Sequence, residues 1–261
     1  MSHPVVFIGA GPGAADLITV RGAQRMAAAE VVLFDALTDP ALRKLAPRAR
    51  WIDVGKRGFC DSTGQVAINA LLVRHAQSGR AVVRLKGGDP SVFGRLEEEL
   101  QALAAAGIAA EVVPGVTAAI AAAAATQRPL TRRGSGRSVS LTTAMTRSGE
   151  LQATRTADTE VFYMAGRQLA ALGRRLAQAG WPADTPILVV SRAGWPDQLQ
   201  SDHLMATLAE AAVLHAGRPT VVTVGVGAAP LRQASQAQGH ALERVPDVAP
   251  RPDRREPRLQ P

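Results

Sequence analysis

Apolar, strand-like runs alternate with helix-like runs through the first half of this chain, and no other feature constrains its fold as strongly. The predicted strands cover residues 5–8, 31–34, 51–54, 81–85 and 110–113. After each strand comes a loop containing glycine, proline or aspartate, and then a segment with apolar residues at helical spacing. This order predicts an N-terminal five-stranded parallel sheet with helices on both of its faces.

The second half of the chain predicts a smaller α/β unit with a mixed sheet. Its expected strands are residues 138–142, 160–164, 186–190 and 220–224, and its expected helices are residues 168–179 and 204–214. We therefore expect an N-terminal α/β domain at 1–127, a basic linker at 128–137 and a C-terminal α/β domain at 138–231. Residues 232–261 are rich in proline and arginine, a composition that predicts disorder.

Composition argues against several function classes. The longest apolar run, residues 116–125, is too short to cross a membrane, and a glycine-rich loop interrupts the opening apolar stretch, so we expect no secretion signal. Cys60 is the single cysteine, which fits a reducing cytoplasm, and the histidines show no metal-ligand spacing, so we expect no bound metal. The net charge of +8 suits an acidic partner such as a nucleic acid, an anionic lipid or a polycarboxylate. The 3% aromatic content disfavours base stacking, so we expect no nucleic-acid partner.

Candidate ligand-binding residues follow the predicted strands. Gly87 and Gly88 allow a backbone to approach a ligand closely, and Asp89 before Pro90 would project its carboxylate from a turn. The alternative for this stretch is a plain strand-to-helix turn. Because the carboxyl ends of parallel strands meet at one sheet edge, we expect it to lie beside the residue 9–13 loop, Asp35, Lys56 and Thr117.

The first loop also fits a dinucleotide site. Gly9 and Gly11 follow the first strand, Ala14 takes the place of a third glycine, and Asp35 lies near the distance of a ribose-binding acid. On these residues alone the dinucleotide reading stays open.

Taken together, the motifs resemble the uroporphyrinogen-III C-methyltransferase branch of the tetrapyrrole methylase family. The resemblance covers about residues 4–230. It includes the Gln65-to-Asn69 helix start and these motifs: GAGPGAADLITVRG, VVLFDAL, VGKRG, VVRLKGGDPSVFGR, VVPGVTAA, PLTRRG and VFYMAG. VRLKGGDP is the strongest, because it favours this branch over methylases of later corrin rings.

The resemblance implies a homodimer of two-domain α/β subunits that bind S-adenosylmethionine in the cleft between the domains. It implies methylation of uroporphyrinogen III at C2 and C7, which gives precorrin-2 for sirohaem and cobalamin. Asp35 matches the proposed proton acceptor of the family and Lys56 its proposed proton donor. The positions that match cofactor contacts are Pro12, Gly87, Gly88, Asp89, Val92, Thr117, Ala118, Met164 and Ala193. Basic side chains that we expect to bind the substrate carboxylates are Arg84, Arg95, Arg132 and Arg133.

Several positions depart from the family pattern on the substrate side. Leu96 and Glu97 replace two glycines, and Ala36 stands where an arginine often follows the catalytic aspartate. Arg132 replaces a common histidine, and Met145 ends a segment that is usually Thr-Gly-His. The alternatives are therefore a methylase of the same fold acting on a later corrinoid or on RNA, or a non-catalytic ligand-binding relative. For single residues, structural roles also stay open: Asp35 as a helix cap, Lys56 in a surface ion pair and Met164 in the core.

Overall fold

The computed structural model describes residues 3–55, 64–144 and 151–231. The expectations for Lys56, Cys60, Met145 and residues 232–261 lie outside this range. Both sheets belong to one compact unit, Met1–Leu231. The domain boundaries given above stay a prediction.

The first sheet is entirely parallel, as its alternating sequence predicts. Its strands are β1 (Val5–Gly9), β2 (Val31–Phe34), β3 (Arg50–Asp53), β4 (Val82–Lys86) and β5 (Ala110–Val113). They lie side by side in the order β3-β2-β4-β1-β5. The helices are α1 (Val20–Ala27), α2 (Gln65–Gln77), α3 (Leu96–Ala105) and α4 (Ala118–Ala125).

Alternating residues of the buried strands point to opposite faces of this sheet, and each face has its own core. Phe7 and Leu33 pack with Leu72 of α2 on one face, whereas Ile8 packs with Met26 of α1 on the other. This alternation follows from the two-residue period of a β-strand. The expectation of helices on both faces is confirmed.

Two segments in this half depart from a regular strand–helix alternation. Residues Pro40–Leu45 form a 3₁₀ helix rather than an α-helix, and the Asp39 carboxylate accepts a hydrogen bond of 2.8 Å from the Ala41 N–H at its start. The first α-helix begins only at Val20, after a short 3₁₀ turn. Thr19 caps that helix, since its hydroxyl accepts from the Gly22 N–H at 3.0 Å.

The second sheet is mixed, also as predicted. It contains β6 (Val139–Thr143), β7 (Thr159–Tyr163), β8 (Pro186–Ser191), β9 (Leu199–Leu204) and β10 (Thr220–Gly225). The order is β6-β7-β10-β8-β9, with β6 and β7 parallel and the other neighbours antiparallel. Strand β9 is absent from the sequence prediction. The helix expected at residues 204–214 is instead a 3₁₀ helix, Met205–Glu210, followed by the short α6 (Ala211–Leu214); α5 covers Leu169–Gln178.

The alanine-rich helix α4 joins the two sheets. Ala121 and Ala122 pack against Leu188 and Val190 of β8, and Ala119 packs against the second sheet through Val161. Alanine side chains let a helix approach a sheet closely without cavities. No helix in the described part of the chain is long and apolar enough to span a membrane.

Candidate active site

The carboxyl ends of the central parallel strands meet at one edge of the first sheet. In the register, Gly9 of β1 lies beside Lys86 of β4, and Phe34 of β2 lies beside Leu85. On the other side of β1, Ile8 lies beside Val113 of β5. The loops that follow these four strands are therefore neighbours, as the order of motifs predicts.

Glycines let three of these loops stack backbone against backbone. A Cβ at Gly9 would lie 2.5 Å from the Gly115 Cα, and a Cβ at Gly115 would lie 2.4 Å from the Gly88 carbonyl oxygen. Gly88 has a φ of +68° and donates its N–H to the Gly11 carbonyl at 2.7 Å. Larger residues at Gly9 or Gly115 would push the loops apart.

Asp89 ties two of the loops together. Its Oδ1 accepts a hydrogen bond from the Ser91 N–H at 2.7 Å, and its Oδ2 accepts from the Gly115 N–H at 2.8 Å. The carboxylate that the sequence suggests as a charge partner for a ligand is thus also a brace within the site.

The second sheet contributes a tyrosine to the same place. The Tyr163 hydroxyl lies 2.7 Å from the Thr117 hydroxyl and accepts from the Ala119 N–H at 3.2 Å. Its ring packs on Phe93 with 5.0 Å between centroids. Burial raises the pKa of Tyr163, so the phenol stays protonated and can donate.

A loop after β8 closes the site from the other side. The Trp195 indole donates to the Pro12 carbonyl at 2.9 Å, and the Ala14 N–H donates to the Gly194 carbonyl at 2.8 Å. A Cβ at Gly13 would lie 2.6 Å from the Gly194 carbonyl carbon. The first loop is therefore fixed between the two sheets.

These elements enclose a cleft of about 410 Å³. Asp35 lines it, together with Arg84 and Arg95. So do all the positions that match cofactor contacts in the family: Pro12, Gly87, Gly88, Asp89, Val92, Thr117, Ala118, Met164 and Ala193. Met164 is 53% exposed, which rules out the core-packing alternative for it.

The structure does not bring every predicted residue to the cleft. Lys56 lies outside the described residues. Arg132 and Arg133 do not line the cleft: Arg133 is exposed, and the Arg132 guanidinium donates to the carbonyls of Ala229 and Pro230. Backbone carbonyls that are distant in the chain thus occupy the Arg132 guanidinium, which the sequence alone could not reveal.

Backbone strain concentrates around this cleft. Among the described residues, five non-glycine residues have positive φ, and four of them line the cleft. Those four are Phe93, Arg95, Met164 and Arg192, with φ between 52° and 60°. Non-glycine residues adopt this left-handed conformation at a cost, and such residues cluster at functional sites.

Four alternating charges lie at the base of the cleft. The Asp35 Oδ1 lies 2.6 Å from an Arg84 nitrogen, and Arg84 also pairs with Glu99 at 3.1 Å. Glu99 pairs in turn with the Lys86 Nζ at 3.0 Å. Burial lowers the pKa of Lys86, the nearby Arg84 lowers it further, and Glu99 opposes both effects.

Sequence reasoning missed Glu99, Tyr163, Arg192 and Trp195 as parts of this site. Glu99 belongs to a run of three glutamates that resembles a solvated helix face. A signal for it existed, because Arg84 and Lys86 share one face of an otherwise apolar strand. Two buried cations on one face require a buried acid nearby.

The geometry of the first loop does not match a dinucleotide-binding site. The dinucleotide fingerprint places its last glycine at the start of a helix that follows the first strand directly. Here helix α1 begins at Val20, several residues after Gly13. The loop packs instead against Gly194 and Trp195 of the loop that follows β8.

Two α/β sheets flank a glycine-lined cleft, and the first loop is held between them. This arrangement is typical of an α/β enzyme that binds its ligands in a cleft. The family model Tetrapyrrole (Corrin/Porphyrin) Methylases matches residues 4–212. The chain belongs to the tetrapyrrole methylase family, which confirms the resemblance drawn from its motifs.

Individual relatives agree with this family. The chain is 40% identical over 230 residues to a uroporphyrinogen-III C-methyltransferase of Pseudomonas aeruginosa, with 86% of this chain and 94% of the relative covered. It is 43% identical over 227 residues to a siroheme synthase of Neisseria meningitidis serogroup C, covering 85% of this chain and 47% of that protein. The chain thus spans about half the length of that synthase.

A solved structure shares the fold. It is the uroporphyrin-III C-methyltransferase of Thermus thermophilus in complex with S-adenosylhomocysteine. Its TM-score is 0.75 at 34% identity, with 85% of this chain and 97% of that chain covered.

Proposed function

We propose that this chain transfers methyl groups from S-adenosylmethionine to C2 and C7 of uroporphyrinogen III, giving precorrin-2 for sirohaem and cobalamin synthesis. One observation carries the proposal: a single cleft is lined by Asp35 and by every residue that the resemblance assigns to the cofactor. The 40% identity to a uroporphyrinogen-III C-methyltransferase, over 94% of that relative, supports the same substrate.

The cleft suits S-adenosylmethionine because its floor is bare backbone. A Cβ at Gly87 would meet only Leu37, at 3.5 Å or more, so the backbone is open to a ligand. Gly88 and Ala118 likewise present little side chain to the cleft. When bound there, S-adenosylmethionine supplies a methyl group on a positively charged sulfonium. The remaining requirements are alignment and the exclusion of water, which a narrow cleft between two sheets provides.

In this proposal Asp35 is the proton acceptor. A pyrrole carbon that gains a methyl group must afterwards lose a proton, and a carboxylate in the cleft can take it. Asp35 follows β2 directly, and Arg84 holds its Oδ1 at 2.6 Å. Lys56 is the proposed proton donor on the strength of the resemblance.

Arg95 is the predicted substrate-binding arginine that the structure supports best. It lines the cleft, and its side chain is 48% exposed and pairs with Glu98 at 2.7 Å. Arg84 is buried and engaged with two carboxylates, so we assign it to holding Asp35 rather than to the substrate. We add Arg192, which lines the cleft and stacks on Trp195 at 4.3 Å.

The proposal extends to assembly and location. We propose a homodimer of subunits with two α/β domains, divided at residues 128–137. The exposed Leu141 on edge strand β6 and Leu199 on edge strand β9 are apolar surface of the kind that a partner covers. We also propose a cytoplasmic enzyme, since a single cysteine fits a reducing compartment.

The test is methyl transfer from labelled S-adenosylmethionine under anaerobic conditions. Uroporphyrinogen III, a reduced later corrinoid and a structured RNA serve as acceptors in parallel. We expect label in uroporphyrinogen III, and roughly 10²-fold slower transfer by Asp35→Asn, the range for a lost general base. Label in the corrinoid or the RNA alone would contradict the substrate. Binding of S-adenosylhomocysteine without transfer to any acceptor would indicate a non-catalytic relative.

A further inference from the structure

Glu99 has no solvent exposure, and the hydrogen-bond capacity of its carboxylate is well used. Its Oε1 accepts from Arg84 Nε at 3.1 Å and from Gln65 Nε2 at 3.2 Å. Its Oε2 accepts from Lys86 Nζ at 3.0 Å. A carboxylate with this many charged and polar donors is fixed in place.

Arg84 links the fixed Glu99 carboxylate to the cleft. Its Nη2 donates to the Asp35 Oδ1 at 2.6 Å, and its Nη1 donates to the Leu85 carbonyl at 3.2 Å. The side chain is only 2% exposed, whereas the Asp35 side chain is 31% exposed and lines the cleft. The contacts therefore run from a buried acid, through a buried guanidinium, to a carboxylate that a ligand can reach.

Two separate elements supply the buried charges. Arg84 and Lys86 lie two residues apart on β4 and so share a face of the strand. Glu99 comes from the beginning of α3, which packs over that face. A buried cation without a counter-ion is strongly unfavourable, so the two cations on β4 hold Glu99 and Glu99 holds them.

We propose that Glu99 is a positioning residue of the methyl-transfer site, which through Arg84 holds the Asp35 carboxylate in place at the edge of the cleft. Lys86 completes the arrangement by occupying the second oxygen of Glu99. This inference rests on the proposed role of Asp35 as proton acceptor. It gives the acidic first turn of α3 a role in the site, rather than a role as a solvent-exposed helix surface.

The direct test is Glu99→Gln, which keeps the shape of the side chain. A glutamine offers one acceptor oxygen, and its amide N–H groups would face either Arg84 or Lys86. We expect turnover to fall by roughly 10-fold to 10²-fold, the effect of misplacing a reacting group, while the affinity for S-adenosylhomocysteine stays at the wild-type value.

A matched control separates positioning from stability. Arg128 is also buried and pairs with Asp202, away from the cleft residues. Asp202→Asn should lower the melting temperature without lowering the turnover of the folded protein. A Glu99→Gln variant that behaves in the same way would overturn the inference. If Glu99→Gln alone does not fold, the double variant Glu99→Gln/Lys86→Met takes its place. It removes the Lys86 cation together with the Glu99 charge and allows the same comparison of turnover with melting temperature.

A second readout does not depend on activity. Arg84 has two carboxylate partners, so removing either one leaves it paired, and removing both leaves it buried and unpaired. We expect the melting temperature of Asp35→Asn/Glu99→Gln to fall by more than the sum of the decreases in the two single variants. Additive losses would contradict the inference. If the wild-type protein methylates no tetrapyrrole, the proposed function fails, and this cycle alone decides whether Glu99 and Asp35 are coupled.

Discussion

Replacing Gly87 by alanine separates the needs of the ligand from the needs of the fold. In the structure a Cβ at Gly87 would meet Leu37 at 3.5 Å or more, an ordinary contact, and Gly87 is not among the residues with positive φ. The free protein should therefore tolerate the methyl group. Its unfolding free energy should stay equal or rise by about 0.4–1 kcal/mol, because alanine restricts the unfolded chain.

The bound state should respond differently. A methyl group added where a ligand lies against the backbone forces overpacking, which typically costs about 1–3 kcal/mol. This corresponds to a dissociation constant for S-adenosylhomocysteine roughly 5-fold to 150-fold higher. Titration calorimetry measures this change, and urea denaturation measures stability.

Two further alanine variants serve as controls for the Gly87 result. Gly173→Ala, inside α5 and in ordinary contact with Leu208 at 3.7 Å, should change neither the affinity nor the fold adversely. Gly88→Ala places a Cβ at a φ of +68° and should cost about 1–2 kcal/mol of stability. Wild-type affinity in Gly87→Ala would show that no cofactor lies against this glycine and would contradict the proposed cofactor site.

Three other predictions test the groups around the cleft. Asp89→Asn should lose about 1.5–3 kcal/mol of unfolding free energy, measured in urea, because an amide cannot accept from both Ser91 and Gly115. Tyr163→Phe should lower the melting temperature and weaken S-adenosylhomocysteine binding, because Thr117 loses its hydroxyl partner; equal values would remove the tyrosine from the site. Burial lowers the pKa of His215 below its usual 6.5, so the unfolded chain binds the proton more readily. The unfolding free energy should therefore fall as the pH drops below about 6.5, and His215→Gln should flatten that dependence.

The first sheet was predictable because its inner strands are buried on both faces. Strands β1 and β2 appear in the sequence as continuous apolar runs before turn residues, and the structure has them at Val5–Gly9 and Val31–Phe34, against the predicted residues 5–8 and 31–34. Parallel strands also place their following loops together, so the position of the site followed from topology.

Strand β9 could not be predicted in the same way. It lies at the edge of the second sheet, and the residues of its segment, LQSDHL, are mostly exposed. An edge strand needs no apolar run, since only one neighbour and little of the core contact it. The helix expected at residues 204–214 was predicted from its apolar spacing, and its residues Leu208 and Ala211 are indeed buried. Most of that segment nevertheless forms 3₁₀ turns.

The charged part of the site was only partly visible in the sequence. Asp35 was found because it follows a strand, whereas Glu99 was hidden in an acidic run on a helix. Arg132 looked like a cleft residue because of its motif, and only three-dimensional contacts show that it donates to the Ala229 carbonyl. Side-chain partners far apart in the chain are what composition and spacing do not supply.

The ring position that receives the transferred carbon distinguishes methylation at C2 and C7 from any other reaction of this cleft. The protein is incubated anaerobically with uroporphyrinogen III and S-adenosylmethionine carrying a ¹³C-methyl group, and the product is examined by mass spectrometry and ¹³C NMR. We expect two enriched methyl carbons in one product, one attached to C2 and the other to C7. Enriched methyl groups at other ring carbons would contradict the proposed function. So would a tetrapyrrole that stays unmethylated by a protein that binds S-adenosylhomocysteine.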